Sequence, residues 1–529
     1  MTKLTAIVLT GDCQEQLPGC LESLGFADKI LVVDSGSRDR TREIASAHGA
    51  RVLQHPLERF DEQRNWAQQQ ADTDWVLFVD SDERVSPELA QEVVAALASG
   101  GEAVAYSMPR RNHFLGRWIR RCGWGNDRVT RLLRRAAVRW EGAVHEKPRI
   151  DGSQGSLQAP LIHHSYPTIS VYWDKMQLYS RLAAAEDFRR GKRSGFLRLA
   201  TQHKLVFLRM YLLRGGWLEG RHGLVLCLLS AFSAFTRALR LWEHQLGASG
   251  RSLLPEGPAV EAPHQGGPQL SILVPTHNEA ANIEAVLDST GWADEVLVVD
   301  SFSDDGTVET ARRRADRVLQ HEYINSAAQK NWALPQTRFP WTMVVDADER
   351  VTPELAREVR QVLASGPAHQ GYVIRRVNHF HGQRIRHCGW NRDRVLRLFN
   401  RERSRYQELE VHAEVDVDGS VSTLRHPLLH YTFRSVDQYW PKLRRYTDWG
   451  ASQAYTDGQR TTLHHLVARP MGRFIKMYLL RLGMLDGTRG LVICWISFFS
   501  VFSKYAKLWE KHLDAGSLPG TVKTGSSRA

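Results

Sequence analysis

The chain has 529 residues, 42% hydrophobic and 24% charged, an ordinary globular composition at a length that calls for more than one domain. Its net charge of +12 would suit either nucleic acid or an anionic membrane surface, but the arginines form no basic tail and no nucleic-acid module, so nucleic acid is not an expected partner. Cys13, Cys20, Cys122, Cys227, Cys388 and Cys494 show no CxxC spacing, which excludes a disulfide scaffold and points to reduced thiols in a cytosolic protein.

Met1-Thr2-Lys3 runs straight into an apolar strand, Leu4 to Leu9, so no secretory leader is expected. A second strand ends at Asp34, followed by Ser35-Gly36-Ser37-Arg38-Asp39. A carboxylate there can accept from a base N–H or a ribose hydroxyl, or it can cap the next helix. A third apolar run ends in Asp80-Ser81-Asp82-Glu83. Strand side chains alternate with a period of two, so Asp80 and Asp82 can face one side where the strand gives out, as a seat for a hard divalent cation. The competing reading is an acidic turn before the helix that Ser86-Pro87-Glu88 begins. Further on come Trp124, Asp127, Arg128 and Arg131, then Val144-His145-Glu146. The segment Phe207 to Leu213 mixes apolar and basic residues ahead of a 14-residue uncharged run, Gly223 to Thr236. That run is shorter than a membrane span, and a basic apolar helix of this kind suits either a bilayer surface or packing on the core.

The pattern then repeats. Asp34 and Asp300, Asp80 and Asp346, Trp124 and Trp390, and Arg131 and Arg397 share an offset of 266, which becomes 267 from His145 and His412 to the end. This is a tandem duplication of a whole domain. It predicts one domain over residues 1–246, a Pro/Gly-rich flexible linker over 247–268, a second domain over 269–515 and a disordered tail over 516–529. In the second copy, strands are expected at Leu270 to Pro275, Glu295 to Val299, Arg317 to Leu319 and Trp341 to Val345. Helices are expected at Asn282 to Ser289, Val308 to Ala315 and Ser326 to Leu334. Strands alternating with helices make an α/β fold with a mostly parallel sheet, whose ligands bind beyond the carboxyl ends of the strands. All four strand-end aspartates fall there.

The ordered set Pro275-Thr276-His277-Asn278-Glu279, Val299-Asp300-Ser301, Gln329-Lys330-Asn331 and Asp346-Ala347-Asp348-Glu349 resembles glycosyltransferase family 2, with its GT-A fold. The continuation Cys388-Gly389-Trp390-Asn391-Arg392-Asp393-Arg394, Val411-His412 and Met484-Leu485-Asp486-Gly487 resembles the bacterial lipopolysaccharide-core β-1,4-glucosyltransferase group. The resemblance implies inverting transfer of a hexose, glucose in that group, from a UDP-sugar to a lipid-linked glycan acceptor by a cytoplasmic protein peripheral on the inner membrane. It implies nucleotide-sugar contacts from Thr10, Asp34, Ser35 and Asp80, and from Thr276, Asn278, Glu279, Asp300, Ser301, Lys330 and Asp346. Mg²⁺ or Mn²⁺ would be held by Asp80, Asp82 and His145, and by Asp346, Asp348 and His412. Glu146 and Glu414 would be the bases. Trp124, Asp127, Arg128 and Arg131, with Trp390, Asp393, Arg394 and Arg397, would meet the acceptor or the diphosphate, arginine being suited to phosphate.

The copies depart from the family pattern at different places. The first has Thr10-Gly11-Asp12-Cys13 where the second has Thr276-His277-Asn278-Glu279. The second has a residue inserted between His412 and Glu414, which in a strand would turn Glu414 to the other face. Either both copies are transferases, or one or both are a membrane-surface glycan-binding scaffold. A sugar nucleotidyltransferase would need a glycine-rich, lysine-bearing loop that the chain lacks.

Overall fold

The computed structural model describes residues 3–142, 147–248, 260–262, 266–408, 414–433 and 435–517. It divides into two compact units. The first comprises Met1–Gln245 with Thr447–Arg469 and the chain from Phe502; the second comprises Leu246–Tyr446 and Pro470–Val501.

In the first unit the sheet is built from Leu4–Thr10 (β1), Lys29–Asp34 (β2), Arg51–Gln54 (β3), Trp75–Asp80 (β4), Glu83–Val85 (β5), Ala103–Phe114 (β6), Arg128–Arg134 (β7) and Leu161–Tyr166 (β8). Their spatial order is β3-β2-β1-β4-β7-β6-β8-β5. The strands β3, β2, β1 and β4 run parallel, and β7 enters antiparallel between β4 and β6. Val8, Val32 and Val79 are buried on one side of the sheet, Ile7, Val33 and Phe78 on the other. Apolar residues on both faces explain why the strands read as continuous hydrophobic runs rather than alternating ones.

The second unit repeats this with Leu270–Thr276 (β9), Glu295–Asp300 (β10), Arg317–Gln320 (β11), Trp341–Val344 (β12), Glu349–Val351 (β13), Gly371–Phe380 (β14), Arg394–Asn400 (β15) and Leu428–Phe433 (β16). The order is β11-β10-β9-β12-β15-β14-β16-β13. Every strand and helix expected in this copy is present within two residues at either end, with helices at Ala280–Thr290, Thr307–Arg314 and Ser326–Ala333. Ser86 and Thr352 cap their helices by accepting from the N–H groups of Leu89 and Leu355, each such cap contributing about 1 kcal/mol.

Two expectations need correction. Val260 and Ala262, inside the stretch expected to be a flexible linker, are buried in the second core, where the Ala262 carbonyl accepts from Arg360; residues 249–259 and 263–265 lie outside the described residues. The helices Gly220–Ala248 and Gly487–Ser517 are far longer than their uncharged runs. Among the described residues two helices could cross a membrane by length and composition, but 72% and 78% of their apolar windows are buried in protein. The expected tail beyond residue 517 also lies outside the described residues.

Each long helix begins on a tight turn. A Cβ on Gly223 would fall 1.9 Å from the Gly216 carbonyl oxygen, and one on Gly490 the same distance from that of Gly483.

Candidate active site

Because β1 lies between β2 and β4, the loops leaving all three strands meet at one edge of the sheet, where the strand order reverses. Thr10 pairs in register with Asp34, and Leu9 with Asp80. In the second unit Thr276 pairs with Asp300.

Asp34 and Asp300 are both fully buried. Asp34 accepts from the N–H groups of Gly36 and Ser37 at 3.1 and 3.0 Å; Asp300 accepts from that of Ser303 at 2.9 Å and from Gln320 at 3.3 Å. They shape the loops that leave β2 and β10. Behind them, Ser35 and Ser301 accept from Gln63 and Gln329, and the Thr10 hydroxyl donates to the Val33 carbonyl. The first loop, where the two sequences differ, is built identically. Asp12 and Asn278 both have positive φ, 45° and 53°. Their N–H groups donate to Ser37 and Ser303 at 2.9 and 2.8 Å, and their side-chain oxygens accept from the N–H groups of Arg38 and Asp304. Asp and Asn are the non-glycine residues that best tolerate this conformation, so the change from Asn to Asp leaves the turn intact. The other changes in this loop are Gly11 for His277 and Cys13 for Glu279, which accepts from Asn282.

The first aspartate of each pair sits among cations. Asp80 is bridged by Arg64 at 2.9 Å and Arg131 at 2.5 Å; Asp346 is bridged by Lys330 at 3.0 Å and by Arg397. Glu83 and Glu349 are fully buried and join the same clusters through Arg110 and Arg376. Burial opposes the charge on Asp80, but Arg131, Arg64 and Arg110 outweigh it and hold the carboxyl well below the usual carboxylate range. Asp346 is depressed likewise, Arg397 and Lys330 overcoming burial.

The second aspartate faces a histidine that sequence reasoning missed. His163 Nε2 lies 3.4 Å from Asp82, and His430 Nε2 lies 3.6 Å from Asp348. The other ring nitrogen, Nδ1, is 2.6 Å from Asn112 Oδ1 in the first unit and 2.6 Å from Asn378 Oδ1 in the second. Since an amide oxygen only accepts, Nδ1 is a donor to the asparagine, and Nε2 is the ring nitrogen turned toward the aspartate. The asparagines are fixed in turn by Asp127 and Asp393, at 2.9 and 3.0 Å. With Nε2 unprotonated, the imidazole and the carboxylate would offer a divalent ion two donors, the remaining ligands coming from substrate phosphate and water. Among the described residues no cluster of three or more His, Cys, Asp or Glu forms a complete protein cage. In the second unit Asp348 and His430 would be the residues to hold such an ion. In the first, Lys175 Nζ donates to Asp82 at 2.6 Å and competes for the same oxygens. Both lysines lie 5.3 Å from an aromatic centroid, Lys175 over Tyr166 and its counterpart Lys442 over Phe433, but Lys442 acts on Asp348 through charge alone.

Asp127 and Asp393 thus anchor the buttress and also pair with Arg110 and Arg376. Arg128 donates to the Leu157 carbonyl and to Ser156; Arg394 is exposed. Trp124 packs against Tyr166, with ring centroids 6.0 Å apart. Trp390 lines a pocket of about 250 Å³ with Arg392, Asp393, His430 and Thr432. Glu414 is exposed just before Val415–Val417, in a two-stranded ribbon apart from the main sheet. Residues 143–146 and 409–413, and with them His145, Glu146 and His412, lie outside the described residues.

The family model for glycosyl transferase family 2 matches residues 5–146 and 271–420, together more than half of the chain. The chain belongs to glycosyl transferase family 2. It carries the family's domain twice and is a glycosyltransferase, with the mixed, mostly parallel sheets expected of the GT-A fold. Among curated relatives it is similar to the lipopolysaccharide core biosynthesis glycosyltransferase LpsC of Rhizobium meliloti, 28% identical over 254 residues, covering 46% of this chain and 94% of that protein. An uncharacterized glycosyltransferase of Rickettsia bellii is 27% identical over 264 residues, 46% of this chain and 87% of that one. Among solved structures, S. aureus TarS 1–349 aligns at 16% identity and a TM-score of 0.25 over 48% of this chain and 95% of that one. Glucosyl-3-phosphoglycerate synthase from Mycobacterium tuberculosis, in complex with Mn²⁺, UDP and phosphoglyceric acid, aligns at 24% identity and a TM-score of 0.19 over 21% and 44%.

Proposed function

We propose that this family 2 enzyme transfers a hexose, glucose by preference, from a UDP-sugar to a lipopolysaccharide-core or related cell-envelope glycan, with inversion at the anomeric carbon. The observation that carries the reading is the oriented Asp348–His430 pair, repeated as Asp82–His163, at the sheet edge where ligands bind. In this reading Asp348 and His430, and with less freedom Asp82 and His163, hold Mg²⁺ or Mn²⁺, which supplies positive charge against the departing diphosphate. Arg64 and Arg131, or Lys330 and Arg397, fix the first aspartate and add positive charge beside it. The Asp34 and Asp300 loops receive the uridine. Glu146 in the first unit and Glu414 in the second take the proton from the acceptor hydroxyl. Its oxygen then bonds to the anomeric carbon as the bond to the UDP oxygen breaks on the opposite face. With a panel of nucleotide sugars and Mn²⁺, UDP-glucose is expected to turn over fastest. A panel giving neither binding nor turnover would overturn the proposal.

We further infer that the enzyme works peripherally on the cytoplasmic face of the inner membrane. In the first unit Leu205, Leu208, Leu212, Trp217, Leu218 and Leu213, the last 84% exposed, project beside Lys204, Arg209 and Arg214. In the second, Met471, Ile475, Leu479, Leu482, Leu485 and Leu480, the last 77% exposed, accompany Arg473 and Lys476. Apolar side chains interleaved with cations match an anionic bilayer surface. Leu213→Asp with Leu480→Asp should lower sedimentation with vesicles of phosphatidylglycerol at least tenfold; unchanged sedimentation would refute the placement.

A further inference from the structure

The second unit has an arginine-lined cavity that the transfer reading leaves unused. It encloses about 510 Å³ and is lined by Arg375, Arg376, Arg384, Arg386 and Asn391, with no carboxylate in its wall. That volume lies within the range of small-ligand pockets. Arg376 is committed to Glu349 and Asp393. Among the described residues, the side chains of Arg375, Arg384 and Arg386 form no ion pair, and Arg384 and Arg386 are exposed. The nearby Asp486 carboxylate accepts instead from the backbone N–H groups of Arg386 and His387, at 3.0 and 2.9 Å. Three guanidinium groups converging without counter-charge repel one another unless an anion joins them, and guanidinium matches phosphate bidentately.

The first unit shows what the same surface looks like without that opening. Trp118 pairs with His113 as Arg384 pairs with His379, so a tryptophan stands where the second unit has an arginine. Its indole meets the guanidinium groups of Arg111 and Arg120, 4.7 and 4.4 Å from the ring centroid. Pro109 replaces Arg375. There the charge is spent on a π face. In the second unit it is left facing solvent, one arginine away from the Asp393–Asn378–His430 chain that orients the cation seat.

We propose that this cavity binds a phosphomonoester carried by the glycan acceptor and so holds a phosphorylated saccharide against the second site. The ligand class rests on the transfer reading; the anion preference rests on the cavity alone. The test is calorimetric titration of the full chain with glucose 6-phosphate, glucose and inorganic phosphate, each with UDP and Mn²⁺ at saturation. Glucose 6-phosphate is expected to bind more tightly than inorganic phosphate, and glucose not at all. Arg384→Ala with Arg386→Ala should weaken glucose 6-phosphate binding at least fivefold, with unchanged thermal unfolding and unchanged UDP affinity. Arg384→Lys with Arg386→Lys should recover part of it, and Arg111→Ala should change nothing. Equal affinity in wild type and the double alanine variant would overturn the proposal. So would competition by UDP, which would place the sugar phosphate in the donor site, or inorganic phosphate binding as tightly as the sugar phosphate. Loss of UDP binding with glucose 6-phosphate binding intact would strike the donor reading instead.

Discussion

The two units present the same site in two electrostatic states. Both keep the aspartate pair, the histidine, its asparagine and the anchoring aspartate. They differ in how closely a lysine approaches the second aspartate: Lys175 bonds directly to Asp82, whereas Lys442 acts on Asp348 through charge alone. Around the first aspartate, Arg64 stands where the second unit has Lys330. Duplication can therefore preserve every side chain of this constellation while the position of one neighbouring amine changes. In the first unit a lysine ammonium is already bonded to the second aspartate; in the second unit, among the described residues, none is.

The sharpest way to break that comparison is Asp348→Ala against Asp82→Ala. The first should remove most tightly bound Mn²⁺, read by electron paramagnetic resonance, and lower UDP-sugar turnover by about 10² or more; the second should spare most of the Mn²⁺. Equal losses would mean that the two seats are equivalent. A structural effect comes next. Arg397→Ala leaves Asp346 and fully buried Glu349 short of a partner, and Arg131→Ala does the same to Asp80 and Glu83. Each should cost its unit roughly 3 kcal/mol in denaturant unfolding, as stripping one partner from a buried ion pair does. A smaller shift should follow Lys175→Ala, which frees Asp82 and should raise Mn²⁺ affinity of the first unit about tenfold, roughly 1.4 kcal/mol. Lys442→Ala, which removes a charge that acts on Asp348 without bonding to it, should raise the second unit's affinity by less.

The smallest expected effect is a pH drift confined to the first unit. Glu510 accepts from the Ile169 N–H at 2.8 Å, and burial pushes its carboxyl up to about 7. Because the folded pKa is raised, its contribution is fully present below the unfolded value near 4.5 and is lost as pH rises through 7. Thermal stability should decline over that window, and Glu510→Gln should flatten the decline.

The fold was legible because buried parallel strands read as apolar runs and because each was written twice. Asp80, Asp82, Asp346 and Asp348 were legible for the same reason, being close in sequence at a strand end. His163 and His430 were not. They reach the site through strand pairing: His163 lies opposite Asn112 in β8 and β6, and His430 opposite Asn378 in β16 and β14. No local spacing encodes that neighbourhood. A signal did exist, since both are histidines in apolar strands at the shared 267-residue offset, but His145 and His412 share it too. Asp127 and Asp393 illustrate a related limit. A carboxylate beside arginines reads as part of a ligand surface, and only the fold shows it gripping the asparagine behind the histidine.

The glycine contacts at the start of the long helices say something about how the two copies drift. Since duplication the halves have exchanged tryptophan for arginine at 118 and 384, and lysine for arginine at 330 and 64. At Gly223 over Gly216, and at Gly490 over Gly483, the space for a Cβ is already taken by a carbonyl oxygen. Such junctions are fixed points of divergence, where neither copy can sample a neighbouring sequence without losing the turn that launches its helix. A library that randomises both halves should therefore recover variety around the arginine cavity and near-invariance at these four glycines.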